Sequence, residues 1–501
     1  MADKLLKEYE VESDGVGIGV KVVYRQGEFV KSYLVDIPEY GEGTKALLVN
    51  LKREIIMDSS LKAEKLLDPK FIEQLKLQFR QRGEKLISKE LPQIDADTKN
   101  AIIGILLNEM LGLGKLEFLL ADGDLEEIVV NNAKDPVWVY HKEFGWLKTD
   151  INLDSEEQIQ NYASIIARRG GKQITILTPL LDTHLVSGDR ANATLFPISG
   201  KGNTITIRRF RRDPWTVTDF IKNKTANSDV MALIWMCMQY ELNMILSGGT
   251  ASGKTSFMNI CLPFIQPNHR VLTIEDTREL TLPEFLHWVP MTTREPNAEG
   301  KGGVTMLDLL VNSLRQRPDR IIVGETRRQR EAEVMFEAMH TGHSVYTTFH
   351  ANTAEETIRR FTNPPIDIPP TLLDSVHLNV VMFRNRRLGV RRVLQVAEFI
   401  PEKRGNEESL KANTLYRWRP QDDLILKDSD SIRLFDELSM HTGLTYDEIK
   451  KDLVGKKKVL DWLVKNDLHN VNQVGKVMAR YYLDQSEVMA VVEKNKKFDD
   501  L

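Results

Sequence analysis

A short apolar run, Met244 to Leu246, breaks into Gly248, Gly249, Thr250, Ala251, Ser252, Gly253, Lys254, Thr255 and Ser256. Gly248, Gly253, Lys254 and Thr255 fill the spacing G-x-x-x-x-G-K-T, a pattern that leaves a chain little freedom in what it folds into. Glycines at those positions let consecutive backbone N–H groups converge on an anion, and a helix opening at the lysine adds the positive end of its dipole. A lysine there reaches the outer phosphates of a nucleotide, and the Thr255 hydroxyl is a hard oxygen ligand of the kind Mg²⁺ takes. The spacing predicts a strand over Met244 to Leu246, a phosphate-binding loop over 248–256, and a helix from Lys254 to Phe264. The bland alternative is a glycine turn ahead of an ordinary helix.

The pattern around the loop supports the phosphate reading. Helices are expected at Ser228 to Leu242, Thr305 to Arg315 and Gln329 to His340, alternating with strands at Val271 to Ile274, Arg320 to Val323 and Ser344 to Phe349. That alternation means βαβ units and a mostly parallel sheet. Val376 to Phe383 and Val390 to Ile400, joined by a basic turn at Arg384 to Arg387, read as a closing antiparallel edge. Residues 61–212 mix amphipathic helices with alternating strands and read as an α+β domain. Ahead of it, 1–60 read as an adaptor segment with short alternating runs at Gly19 to Tyr24 and Ala46 to Leu51. The basic run from Arg208 to Pro214 introduces a linker over 213–227, the α/β domain takes 228–428, and 429–501 form a small helical cap with no legible chemistry.

Composition narrows the class. A chain of 501 residues, 42% hydrophobic and 28% charged, is long enough for several globular domains. Its net charge of -4 gives no general nucleic-acid signature, although the cluster from Arg208 to Arg212 keeps a nucleic-acid motor in view as a rival. Cys237 and Cys261 sit in apolar helical surroundings and read as reduced core thiols. The opening residues are too charged for a signal peptide, and the apolar stretch 100–120 is interrupted by Glu109, Lys115 and Glu117. A cytoplasmic protein that meets a membrane only through partners or surface contact is expected.

A bound triphosphate needs carboxylates to hold Mg²⁺ and to orient or deprotonate the attacking water. Glu275 and Asp276 end one predicted strand, and Glu325 follows another after Gly324. Both acids stand at carboxyl ends of strands, where open α/β sheets bind ligands. His340, His343 and His350 follow. A metal site on His340 and His343 lacks a nearby Cys or acid to complete it. The better reading has His343 and His350 at the ends of a strand beside the phosphates, as hydrogen-bond donors that sense the γ-phosphate, with His340 as readily structural.

Taken together, Gly248 to Thr255, Thr273 to Leu280, Arg317 to Arg327 and Ala338 to Asn352 resemble, in order, the Walker A, Asp box, Walker B and His box of the type II/IV secretion-system ATPase superfamily. Within it the chain looks most like the archaeal branch, the motors of archaella and archaeal type IV pili; the four-cysteine zinc insertion usual in bacterial type II members is missing. The resemblance implies a RecA-like P-loop motor domain behind a PAS-like α+β N-terminal domain, a homo-hexameric ring hydrolysing ATP with Mg²⁺, and a polytopic inner-membrane platform protein as partner. Direct nucleic-acid binding is not expected. It further implies that Lys254 and Thr255 hold phosphate and Mg²⁺, that Glu275 polarises the attacking water, and that Glu325 supports the metal, with the base left open between the two glutamates. Arg190 and Arg208, in segments matching N-domain strands, are the implied phosphate-sensing arginines.

Overall fold

The computed structural model describes residues 4–37, 54, 69–91, 93–185, 188–209, 214–296, 300–385, 387–404 and 407–497. The chain divides into two compact units, Met1–Arg211 and Arg212–Leu501. The expected strand at Ala46 to Leu51, the start of the helix expected from Leu61, and most of the basic run before Pro214 lie outside the described residues.

The first unit is built on a nine-stranded sheet. Its strands are β1 (Lys4–Ser13), β2 (Val16–Tyr24), β3 (Ser32–Asp36), β4 (Leu125–Val130), β5 (Trp138–His141), β6 (Gly145–Thr149), β7 (Leu180–His184), β8 (Arg190–Thr194) and β9 (Thr204–Arg208), in the order β1-β2-β3-β6-β5-β4-β9-β8-β7. Every pairing is antiparallel except β3 with β6. Strict alternation in β2 buries Val16, Ile18, Val20 and Val22 on one face. Helix Glu156–Arg169 starts where the Ser155 hydroxyl accepts the Gln158 N–H, and helix Ala96–Leu111 where the Asp95 carboxylate accepts the Thr98 N–H.

The first three strands are no separate adaptor. Buried Asp122 accepts the hydroxyls of Tyr9 and Tyr33, each at 2.6 Å, and so ties β1 and β3 to the segment that enters β4. The alternating run at Gly19 to Tyr24 falls within β2; which sheet β2 joins depends on the pairing of β3 with β6, more than a hundred positions away.

The second unit carries a nine-stranded mixed sheet. Its strands are β10 (Met244–Gly248), β11 (Arg270–Glu275), β12 (His287–Thr292), β13 (Arg320–Val323), β14 (Ser344–Phe349), β15 (Leu378–Asn385), β16 (Val390–Arg404), β17 (Glu407–Arg419) and β18 (Leu424–Lys427), in the order β12-β11-β13-β14-β10-β15-β16-β17-β18. From β12 to β15 all neighbours run parallel; from β15 to β18 they alternate. The stretch expected to close the sheet therefore does so only in part. β15 lies inside it, parallel to β10, and the antiparallel run continues through β17 and β18.

Strands β10, β13 and β14 are buried along their whole length, as parallel strands covered by helices on both faces must be. One covering layer includes helix Ser228–Gln239, with Trp235 stacked on Phe264 at 5.6 Å. Helices Leu434–Thr442, Tyr446–Lys465, Val471–Leu483 and Gln485–Glu493 pack into that same layer. Leu438, Leu460, Leu463, Val477 and Met478 share a continuous core with Trp235 and Met244. The tail thus shares the core of the second unit, where a small helical cap was expected. The described part of the expected linker is also built in: Val217 and Phe220 of helix Val217–Lys222 belong to the same core.

Candidate nucleotide site

Parallel strands align their carboxyl ends on one edge, and the register sets them side by side: Ile274 faces Val323, Val323 faces Thr347, and Ser247 faces Phe349. The phosphate loop, Glu275, Glu325 and His350 all follow at that edge. The loop leaves β10 through Gly248, whose φ of 154° and whose 2.5 Å gap between an added Cβ and the Met382 carbonyl oxygen exclude a side chain. It enters helix Lys254–Cys261 through left-handed Gly253 (φ 95°).

Lys254 is buried, and its ammonium donates to the carbonyls of Gly248 (3.0 Å) and Gly249 (3.1 Å), with His350 Nδ1 at 3.4 Å. Burial lowers its pKa, opposed by the charge of Glu325. Ser252 Oγ is buried and has no hydrogen-bond partner, so the loop holds a polar atom aimed at nothing in the protein. Thr255 and Glu325 offer a hydroxyl and a carboxylate, the hard oxygen donors that suit Mg²⁺. The residues present fit a Mg²⁺–nucleotide.

The two acids stand in different surroundings. Glu275 is 2% exposed; its Oε1 accepts the N–H groups of Glu279 (2.8 Å) and Leu280 (3.0 Å), while Oε2 is buried without a partner. Burial pushes its pKa up to about 7, against the pull of those two N–H groups. Glu325 is the hub of a charged chain. Its Oε2 accepts Arg327 Nε (2.9 Å) and Nη2 (2.6 Å), and its Oε1 lies 3.0 Å from His350 Nε2. Arg327 reaches on to Asp276 at 3.0 Å, and Asp276 accepts the Thr293 hydroxyl at 3.1 Å. Desolvation and the neighbouring Lys254 lower the pKa of His350, against the opposing charge of Glu325.

His343 does not join this cluster. It precedes β14, so it stands at the opposite edge of the sheet, about 23 Å of extended chain from His350. There its Nδ1 lies by Ala338 O (3.3 Å) and Thr341 Oγ1 (3.2 Å). A strand delivers only one of its ends to the edge that carries the phosphate loop, so His343 does not stand where γ-phosphate sensing requires it. His340 has its Nε2 against the carbonyls of Thr371 and Leu372 at 3.2 Å, a structural contact.

In the first unit, Arg190 and Arg208 are cross-strand partners at the paired ends of β8 and β9. Like charges facing each other across a sheet repel. Asp182 on β7 offsets this by accepting Arg190 Nε at 2.9 Å and Nη2 at 2.5 Å.

Sequence reasoning overlooked two cations at the nucleotide site. Arg327 closes the segment Arg317 to Arg327, two residues after Glu325, and its offset from the acid is the available signal. Arg391 on β16 donates to the carbonyl of Ala251 at 3.2 Å, and Ala251 itself takes a left-handed φ of 59°. No local pattern links residues so far apart.

A family model described as "Type II/IV secretion system protein" matches residues 189–391. The chain is 33% identical over 400 residues to uncharacterized protein MJ0900 of Methanocaldococcus jannaschii, covering 78% of this chain and 71% of that protein. It is 28% identical over 302 residues to type IV secretion system protein PtlH of Bordetella pertussis, covering 54% of this chain and 88% of PtlH. Among solved structures, the Legionella pneumophila ATPase DotB is 19% identical and covers 72% of this chain and 92% of its own, with a TM-score of 0.42.

Proposed function

The chain belongs to the type II/IV secretion-system ATPase superfamily, and from that premise we propose that it is a Mg²⁺-dependent ATP hydrolase whose turnover drives a secretion or pilus machine. The reading is carried by one observation: a phosphate loop, a buried glutamate with a free carboxylate oxygen and a second, cation-paired glutamate share the carboxyl edge of one parallel sheet.

Residues 248–256 bind the triphosphate, with Lys254 exchanging the loop's own carbonyls for phosphate oxygens. Thr255 and Glu325 hold Mg²⁺, which when bound neutralises charge on the phosphates. Glu275 is the general base. A carboxylate titrating at about 7 is matched to accepting a proton from water at neutral pH, and its partnerless Oε2 is the atom that takes it. His350 senses the γ-phosphate from beside Lys254 and Glu325, while Arg190 and Arg208 supply further charge to it in the working assembly.

In this reading the motor domain is RecA-like, the first unit includes a PAS-like domain, and the working form is a homo-hexamer. It acts on a polytopic inner-membrane platform protein to assemble or turn an archaeal surface filament, an archaellum or a type IV pilus. Among the described residues no helix is long and apolar enough to cross a membrane. The direct test is phosphate release by Lys254→Ala: turnover should vanish, and retained turnover would end the proposal.

A further inference from the structure

Glu275 is aimed by backbone: among the described residues, the groups held by its Oε1 are the N–H groups of Glu279 and Leu280. Whatever fixes that turn fixes the carboxylate. Two side chains from distant helices do so. Asn259, in the second turn of helix Lys254–Cys261, donates from Nδ2 to the Glu279 carbonyl at 2.8 Å and accepts the Thr281 N–H at 2.8 Å. From the tail, Asn472 Oδ1 accepts the Glu284 N–H at 3.0 Å.

The same tail helix, Val471–Leu483, presses on the turn at Gly475. A Cβ added there would stand 2.6 Å from Pro283 Cγ and 3.1 Å from Phe285 Cζ, so the close approach exists only because the residue is glycine. Leu280, Leu282 and Leu286 are buried in one core with Val474, Val477 and Met478. The helix is in turn held to the rest of the unit: Tyr482 accepts the Trp235 indole N–H at 2.7 Å and donates to the Phe264 carbonyl.

We propose that Asn259, Asn472 and Gly475 are positioning residues that lock the 279–286 turn, so that the C-terminal helices set the aim of Glu275. The inference rests on the ATPase reading above and gives a role in turnover to a tail whose sequence carries no chemistry of its own. Its mechanical content is simple. The helix that opens with Lys254 and Thr255 also carries Asn259, so phosphate grip and carboxylate aim share one rigid element, and the tail closes the turn from the other side. A displacement of about 1 Å in such a group costs up to about hundredfold in rate.

The test uses the full chain and three readouts: steady-state phosphate release, equilibrium binding of a fluorescent ADP analogue, and thermal unfolding. Asn259→Ala and Asn472→Ala should lower kcat by about ten- to hundredfold, while the analogue's Kd stays within about twofold and the unfolding midpoint is kept. Asn472→Asp retains an acceptor for the Glu284 N–H and should restore turnover relative to Asn472→Ala. Gly475→Ala installs a better helix former yet should lower kcat, because the new methyl pushes the helix off Pro283. Wild-type kcat in Asn472→Ala and Gly475→Ala would overturn the proposal, as would kcat and nucleotide binding failing together in every variant. Lys254→Ala separates the two layers. If it still hydrolyses ATP, the ATPase reading itself is lost; if it is inactive while the tail variants turn over normally, only the positioning role falls.

Discussion

Glu275→Gln should make the protein inactive and, at alkaline pH, more stable. Burial raises the folded-state pKa of Glu275 from the ordinary 4.5 to about 7. For an acid shifted upward, the folded state prefers the protonated form, so stability is fully present below the unfolded value and is lost as pH rises through the folded one. The whole loss for such a shift is about 3 kcal/mol, and about 2 kcal/mol of it falls between about pH 5.5 and about pH 8.5. Glutamine keeps an acceptor for Glu279 and Leu280 and carries no charge, so it escapes this loss. The loss already contains the stronger N–H bonds that the charged carboxylate makes, so glutamine, a neutral acceptor like the protonated acid, needs no separate correction for them. Denaturant unfolding of both proteins at the two pH values is the assay. The stability difference should move by about 2 kcal/mol in favour of the variant on going to the higher pH, while its phosphate release falls at least about hundredfold. The wild-type kcat should rise with pH through about 7. A stability difference that is the same at both pH values would refute the placement of Glu275 as a buried, high-pKa carboxylate.

Arg391→Ala removes the donor that holds the Ala251 carbonyl, and the loop then bears its left-handed residue unsupported; nucleotide Kd should rise about fivefold, the worth of one hydrogen bond, with kcat at saturating ATP little changed. An unaltered Kd by fluorescent ADP titration would count against that support. Arg327→Ala frees Glu325 from its doubled ion pair, so the Mg²⁺ concentration that half-saturates nucleotide binding should fall. Because Arg327 is 61% exposed the change is small, about threefold; a higher Mg²⁺ requirement would show that Arg327 aids the metal site where competition is expected.

The elements that were legible in the sequence share one property: the apolar pattern that marks them is strong and local. Strands β13 and β14 and helix Gln329–His340 fall on the residues that periodicity assigned them, because continuous apolar runs bounded by Asp, Gly and His leave a buried strand or an amphipathic helix as the only economical choice. β12 escaped notice for the opposite reason. It is an edge strand, half-exposed along its length and interrupted by Pro290. The tail helices were visible as helices, yet an apolar stripe says only that a face is covered. That Val477 and Met478 meet Trp235's core is a property of the tertiary fold. Asn259 left no trace at all, since a single polar residue in a helix carries no period.

The error over His343 follows from the same limit and shows how the topology corrects it. His343 and His350 are expected beside the phosphates from the two ends of one strand, although those ends lie about 23 Å apart. Direction decides otherwise: in a parallel sheet every strand points the same way, so residues just after a strand gather at one edge and residues just before it gather at the other. Glu275 ends β11, Glu325 follows β13 and His350 follows β14, while His343 precedes β14. With β10 parallel to β14, and β14 to β13, the residue that follows the strand stands at the edge of the phosphate loop and the residue that precedes it stands at the other. Three of the four assignments obey that rule without any knowledge of side-chain contacts; the fourth breaks it and is the one the fold removes.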